Sequence, residues 1–135
     1  GKNYAESRLK NSLLSYELHL PLARQELCSH YKKNHIMVVP SKKEGYGIVY
    51  AEGLACGLPI IGYYRSIQEF SNLLNMKVGI GFDSNIEHFN NLAYKIRECL
   101  EMSINSEELA EKTLKKLNWE IQKEKYIALY QKIIN

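Results

Sequence analysis

The sequence predicts an α/β domain built on a parallel sheet, and three consecutive features predict it. His35–Val39 (HIMVV) is an apolar run that stops at Pro40, as a strand buried on both faces does. Gly45 and Gly47 then open a segment in which Ile48, Ala51, Leu54 and Ala55 recur at helical spacing. Gly57 and Pro59 stand where such a helix ends. Leu58–Tyr63 (LPIIGY) reads as a second buried strand. Strand, glycine loop, helix and strand make a right-handed parallel crossover. Ligands of open α/β sheets bind at the carboxyl ends of strands, where Ser41–Gly47 falls.

Two acids mark this unit. Glu44 lies just before the helix, and Glu52 lies more than one turn inside it. On a helical wheel Glu52 falls between Ile48 and Cys56, within the expected apolar stripe. A carboxylate there is costly to bury unless hydrogen-bond donors reach it, and a sugar diol supplies two. The backbone N–H groups of Gly47, Ile48 and Val49 are free at the helix N-terminus and suit a phosphate. Two alternatives compete. Ser41-x-x-Glu44 is also a capping-box pattern, although two glycines would then lie in the first turns. Glu52 could be an ordinary helix acid, but its i±4 neighbours are Ile48 and Cys56, and neither is a cation.

The stretch EGYGIVYAEGLACGLPII resembles the E-x7-E signature of retaining, nucleotide-sugar-dependent glycosyltransferases of the GT-B fold, especially glycosyltransferase family 4. Glu44 and Glu52 match its two acids. Gly45, Tyr46 and Gly47 match its glycine loop, and Gly57-Leu58-Pro59 matches its exit. Gly53 departs from the alanine usual there. The resemblance implies a Rossmann-like three-layer domain, the later part of the C-terminal half of such an enzyme, spanning residues 1–135. It implies that Glu44 faces the donor sugar in the catalytic position and that Glu52 holds the ribose. Gly45, Tyr46, Gly47, Ile48 and Val49 complete the nucleotide-sugar site, and no metal or other cofactor is expected.

Length and composition bound the rest. A chain of 135 residues supports one domain, and its net charge of +3 is modest. Lys32-Lys33 and Lys42-Lys43 are too short to form a nucleic-acid patch. No apolar run approaches the roughly 18 residues of a membrane span. Three widely spaced cysteines, Cys28, Cys56 and Cys99, read as reduced thiols of a cytoplasmic protein. No Ser/His/Asp, Cys/His or metal-ligand spacing stands out. The chain begins at Gly1 without an initiator methionine and reads as part of something longer.

In chain order, Ala5–Leu14 reads as a short helix, Tyr16–Leu20 as an alternating strand, and Pro21 to about Lys33 as a helix. His19 and His35 fall in expected strands, His30 and His88 on helix surfaces. By the resemblance, Leu20–Leu22 lie near the nucleotide base. Arg65 could reach a phosphate, though a solvated arginine is the ordinary reading. Glu69 matches a family acid. Val78–Phe82 reads as a third strand, and Ser84-x-x-Glu87 caps a helix carrying Phe89, Leu92, Ala93, Ile96 and Leu100. Asn105 or Ser106 opens a helix with Leu109, Thr113, Leu114 and Leu117. Asn118 opens a last one with Ile121, Tyr126, Leu129, Tyr130 and Ile133. Its lysines, with those of the helix before it, read as a solvated face, the alternative being an anionic membrane at the inner face.

The function expected is the donor-binding portion of a retaining glycosyltransferase that moves a sugar from a nucleoside diphosphate to an acceptor hydroxyl. The resemblance places the sugar, glycan or lipid-linked acceptor on an absent N-terminal domain. Alternatives are a non-catalytic nucleotide-binding module, a scaffold or association domain, and a GT-B epimerase or phosphorylase. The resemblance also implies strand order 3-2-1-4-5-6, with Tyr16–Leu20 as strand three and His35–Val39 as strand four. Strands one and two would be missing between them. The expectation is that strand three slides over to pair with strand four, or that the exposed edges recruit a second chain.

Overall fold

Ile60 and Ile61 are adjacent, fully buried, and belong to different cores, one on each face of the sheet. Side chains alternate across a strand, so a strand with both neighbours buried needs cover on both sides. The computed structural model describes residues 15–41, 44–82 and 91–134 and supplies that cover. Its elements are α1 (Arg24–Lys32), β1 (Met37–Val38), α2 (Ile48–Ala55), β2 (Ile60–Tyr63), α3 (Tyr64–Leu74), β3 (Gly79–Phe82), α4 (Leu92–Glu101), α5 (Ser106–Leu117) and α6 (Trp119–Ile134). The strands are parallel in the order β1-β2-β3. Met37 faces Ile60, and Ile60 in turn faces Gly79. The chain is thus an α/β layered domain with a parallel sheet, as its sequence predicts.

The larger core joins Tyr50 and Leu54 of α2, Ile67, Phe70 and Leu74 of α3, and Leu109 of α5 against Ile60. The opposite core joins Ile61, Ile80 and Phe82 to Cys99 of α4, with Leu92 and Ile96 half-buried beside it. Helix α2 ends at the predicted glycine. Gly57 has φ +82°, its N–H donates to the Leu54 carbonyl at 3.0 Å, and the Leu58 N–H donates to the Gly53 carbonyl at 3.0 Å. This pairing satisfies carbonyls that a helix end leaves open. Asn105 caps α5 by accepting from the Glu107 and Glu108 N–H groups, each at 3.0 Å. Asn118 does the same for Glu120 at 2.8 Å.

Several expectations are corrected. Tyr16–Leu20 forms no strand, and the segment is largely exposed. Alternation alone does not hold a strand, which needs a neighbour to pair with, and Tyr16–Leu20 has none among the described residues. Strand three therefore does not slide over to strand four, and the outer edge of β1 meets no described strand. Helix α1 starts at Arg24, after Pro21. The Ala23 N–H donates to the Glu26 carboxylate at 3.1 Å. His19 and His35 lie outside strands; His19 sits 3.2 Å from Glu17, with its ring 4.4 Å from that of His30. Leu100 and Leu114 are exposed, and α6 buries no residue, so its apolar side chains have no cover from the described chain. Ala5–Leu14, Lys42-Lys43, the Ser84–Glu87 cap, His88 and Phe89 lie outside the described residues.

Gly53 and Gly57 provide a test of the packing. A Cβ on Gly53 would meet the Met37 sulfur at 2.6 Å, the end of a flexible side chain. A Cβ on Gly57 would meet the Ser106 backbone oxygen at 2.6 Å, in a left-handed conformation. Gly57→Ala is expected to lower stability by about 2 kcal/mol or more. For Gly53→Ala, better helix propensity, worth about 1 kcal/mol, offsets the shift of Met37 and leaves stability nearly unchanged. Urea unfolding of both variants checks the contrast, and equal losses would contradict it.

Candidate functional site

The glycine loop enters α2 through a left-handed residue. Gly47 caps the helix with φ +71° and ψ +57°, and among the described residues no side chain accepts from the first-turn amides. The capping-box reading of Ser41 and Glu44 therefore fails, because the helix begins at Ile48 and neither residue caps it. A helix without a side-chain cap presents its leading N–H groups, here those of Ile48 and Val49, to whatever lies in front. Gly47 is confined to glycine for a second reason. A Cβ there would meet the Tyr50 ring at 2.9 Å.

Tyr50 fixes where the loop sits. It is fully buried, and its hydroxyl accepts from the Tyr63 N–H at 2.9 Å, at the carboxyl end of β2. Burial raises the pKa of this hydroxyl above its ordinary value, the Tyr63 amide partly offsets that, and the charge of Glu44 adds to it. Glu44 therefore stands close to the end of β2. It lines a groove of about 390 Å³ with Gly45, Tyr63, Arg65, Ser66 and Glu69. In that groove two carboxylates can accept from hydroxyls and one guanidinium can donate. Arg65 is exposed, and its Nε donates to the Tyr64 hydroxyl at 2.8 Å, so the guanidinium is held in place beside the groove.

Glu52 is placed differently from the expectation. It is exposed, and the Ile48–Glu52–Cys56 side of α2 is not the core side; Tyr50, Gly53 and Leu54 are. Ile48 itself is 70% exposed. The helical wheel puts Ile48 and Cys56 on the inward stripe with Glu52 between them, whereas the buried side is that of Tyr50. The inward direction is set by Gly53, whose missing side chain lets the helix approach Met37 and Ile60. Glu52 faces α1, where burial first, then the Glu52 charge, then Cys56 raise the Tyr31 pKa. Glu52 does not line the groove that holds Glu44. It lies four residues from Ile48, on the same helix face.

Leu20, Pro21 and Leu22, expected near a nucleotide base, line an open recess with Tyr31, His30 and Leu27. Tyr46 is 60% exposed and meets Phe70 edge-on at 5.8 Å. With Ile48, Trp119 and Tyr126 it also lines a second groove, of about 630 Å³. Val49 is half-buried against the larger core. Sequence reasoning missed Tyr50, because one tyrosine among ten carries no local signal. It also missed that Cys28 and Cys56 meet. Among the described residues, no group of three or more His, Cys, Asp or Glu side chains is placed to hold a metal ion, and no helix is long and apolar enough to cross a membrane.

Comparison with known proteins gives this geometry a family. A family model described as glycosyl transferases group 1 matches residues 1–116. An uncharacterised glycosyltransferase of Methanocaldococcus jannaschii is 42% identical over 53 residues, 39% of this chain and 15% of its own length. D-inositol 3-phosphate glycosyltransferases match too. That of Kineococcus radiotolerans is 42% identical over 41 residues, 30% of this chain and 9% of the relative. That of Xylanimonas cellulosilytica is 39% identical over 44 residues, 33% of this chain and 11% of the relative. The matched segments thus span only a small part of these relatives. No solved structure matches. The matched family model covers most of the sequence, and the chain belongs to the group 1 glycosyl transferases.

Proposed function

We propose that this chain is the donor-binding portion of a retaining glycosyltransferase, with a nucleoside-diphosphate sugar as donor. The observation that carries the proposal is the uncapped start of α2. Along the chain it falls between Glu44, which lines a groove with Gly45, and Glu52, an acid one turn into the helix. A nucleotide sugar has the same linear order of parts. The base lies toward the recess at Leu20–Leu22, the ribose at Glu52, the diphosphate at the amides of Ile48 and Val49, and the sugar beside Glu44 and Gly45. Tyr31 borders the recess and feels the charge of Glu52, which supports joining the first two steps of that track.

The physical roles follow from the parts. The α2 N-terminus stabilises the negative charge that grows on the leaving diphosphate. Glu52 accepts from the ribose hydroxyls and so fixes where the phosphates lie. Glu44 accepts from hydroxyls of the transferred sugar, and Tyr46 and Gly47 shape the backbone that approaches the donor. The acceptor, a sugar, glycan or lipid-linked hydroxyl, meets the donor across a cleft whose other wall lies on a further domain. No general base is assigned. The donor itself is the substrate that supplies the leaving group, and no metal takes part in this reading. The protein works in the cytoplasm.

Two substitutions in the full-length protein separate the roles. Glu52→Gln removes charge-assisted hydrogen bonds worth about 1.5–3 kcal/mol and should weaken nucleoside-diphosphate binding by about ten- to a hundredfold. Titration calorimetry checks this, and unchanged affinity removes Glu52 from the ribose. Glu44→Ala should leave nucleoside-diphosphate affinity within a few fold while lowering the transfer rate. Transfer at the wild-type rate would take Glu44 out of the sugar site.

A further inference from the structure

Helices α1 and α2 meet through two thiols. Cys28 lies on α1, and Cys56 is the residue that ends α2. Their Sγ atoms are 3.4 Å apart, and both residues are free and half-buried. Cys99 is buried in the opposite core, on the far face of the sheet. Helix α1 buries none of its residues, so little resists the closure of roughly an ångström or more that a sulfur–sulfur bond of about 2 Å would need.

We propose that Cys28 and Cys56 form a thiol–disulfide modification site, at which a small disulfide of the glutathione class closes a reversible intramolecular bond between α1 and α2. The exchange runs in two steps. The Cys28 thiol loses its proton, and its sulfur attacks one sulfur of the small disulfide. That S–S bond breaks, and one small thiolate leaves and takes up the proton. Cys56 then loses its proton and attacks the Cys28 sulfur of the mixed disulfide. The Cys28–Cys56 bond forms, and the second small thiolate leaves and is protonated. Two protein thiols are oxidised by two electrons, and one small disulfide is reduced to two thiols.

Burial, with Cys28 beside it, pushes the Cys56 thiol up to about 11, and Lys32 offsets this only in part. Whichever thiol attacks the small disulfide first, the other stands at contact distance from its sulfur for the second step. The bond would also fix local geometry. The Cys56 N–H donates to the Glu52 carbonyl at 3.2 Å, and Tyr31 on α1 feels both Glu52 and Cys56. Closing the bond therefore fixes the spacing between Tyr31 and the turn of α2 that carries Glu52.

The test is a thiol count in the full-length chain and needs no knowledge of the reaction. The protein is equilibrated with reduced and oxidised glutathione at graded ratios, blocked with an alkylating reagent under denaturing conditions, and weighed. The result expected is loss of two alkylatable thiols in a single step, those of Cys28 and Cys56, with no glutathione retained on either. Trypsin cuts after Lys32 and Lys33, between the two cysteines, so the digest should hold one linked pair of peptides carrying Cys28 and Cys56. Cys28→Ser and Cys56→Ser should each abolish the pair, and Cys99→Ser should keep it. A stable glutathione adduct on Cys28, disulfide-linked dimers as the main product, or Cys28 and Cys56 both still alkylatable in oxidised glutathione alone would each overturn the proposal.

Discussion

A hydrogen bond between two tyrosines holds the site together. The Tyr50 hydroxyl, without solvent contact, accepts the Tyr63 amide at 2.9 Å. That bond ties the first turn of α2 to the last residue of β2. The same ring occupies the space that a side chain at Gly47 would need, and its hydroxyl lies 2.6 Å from where a Cβ on Gly62 would stand. A buried hydroxyl without a partner is costly, so the loop can adopt few other positions without leaving one. The left-handed Gly47, the uncapped amides and the groove at Glu44 all take their places from this contact.

What was legible in the sequence is what local chemistry decides. The strand after α2, the terminating glycine at Gly57 and the caps at Asn105 and Asn118 each depend on residues within a few positions of one another, whereas the strand expected over His35–Val39 and buried on both faces is only Met37–Val38 and half-buried. The features that were misread depend on partners distant in sequence. Tyr16–Leu20 alternates like a strand, but no described neighbour completes its hydrogen bonds. Glu52 was expected among apolar residues because Ile48 and Cys56 flank it on the helix wheel. The core lies on the other side, where Gly53 meets Met37 and Ile60. The separation of 28 positions between Cys28 and Cys56 likewise hid a contact that no spacing rule announces.

The exposure of Glu52 removes the burial cost that would have called for a hydrogen-bonding ligand there, and under the proposed function its role rests on position alone. A carboxylate inside the core would need donors from the protein, and a ligand would have to displace them. On the surface it keeps its charge in water, and its selectivity must come from position. Position is what α2 supplies, since Ile48 and Glu52 are successive residues on one helix face. Glu44 gains its position otherwise, from the end of β2 through Tyr50. The two acids thus belong to different places, Glu44 to the loop beside the end of β2 and Glu52 to the helix, with the helix start between them in sequence.

The apolar surface around that helix start supports the same reading from the outside. Tyr46, Ile48, Trp119 and Tyr126 line one groove and are each more than half exposed. Scattered apolar residues on a surface need no explanation, but a contiguous set does. Here the set borders the leading amides of α2, and α6 adds Tyr130, Ile133 and Ile134 without burying any of them. A polar donor held at the Ile48 amides would meet bulk water on this side if nothing covered it, and water competes for the sugar in any transfer to another hydroxyl. Under the proposed function the uncovered groove and the uncapped helix therefore belong to one requirement. In that reading the chain positions the donor, and the wall that excludes water from it would be built on this apolar face by the part of the enzyme that holds the acceptor.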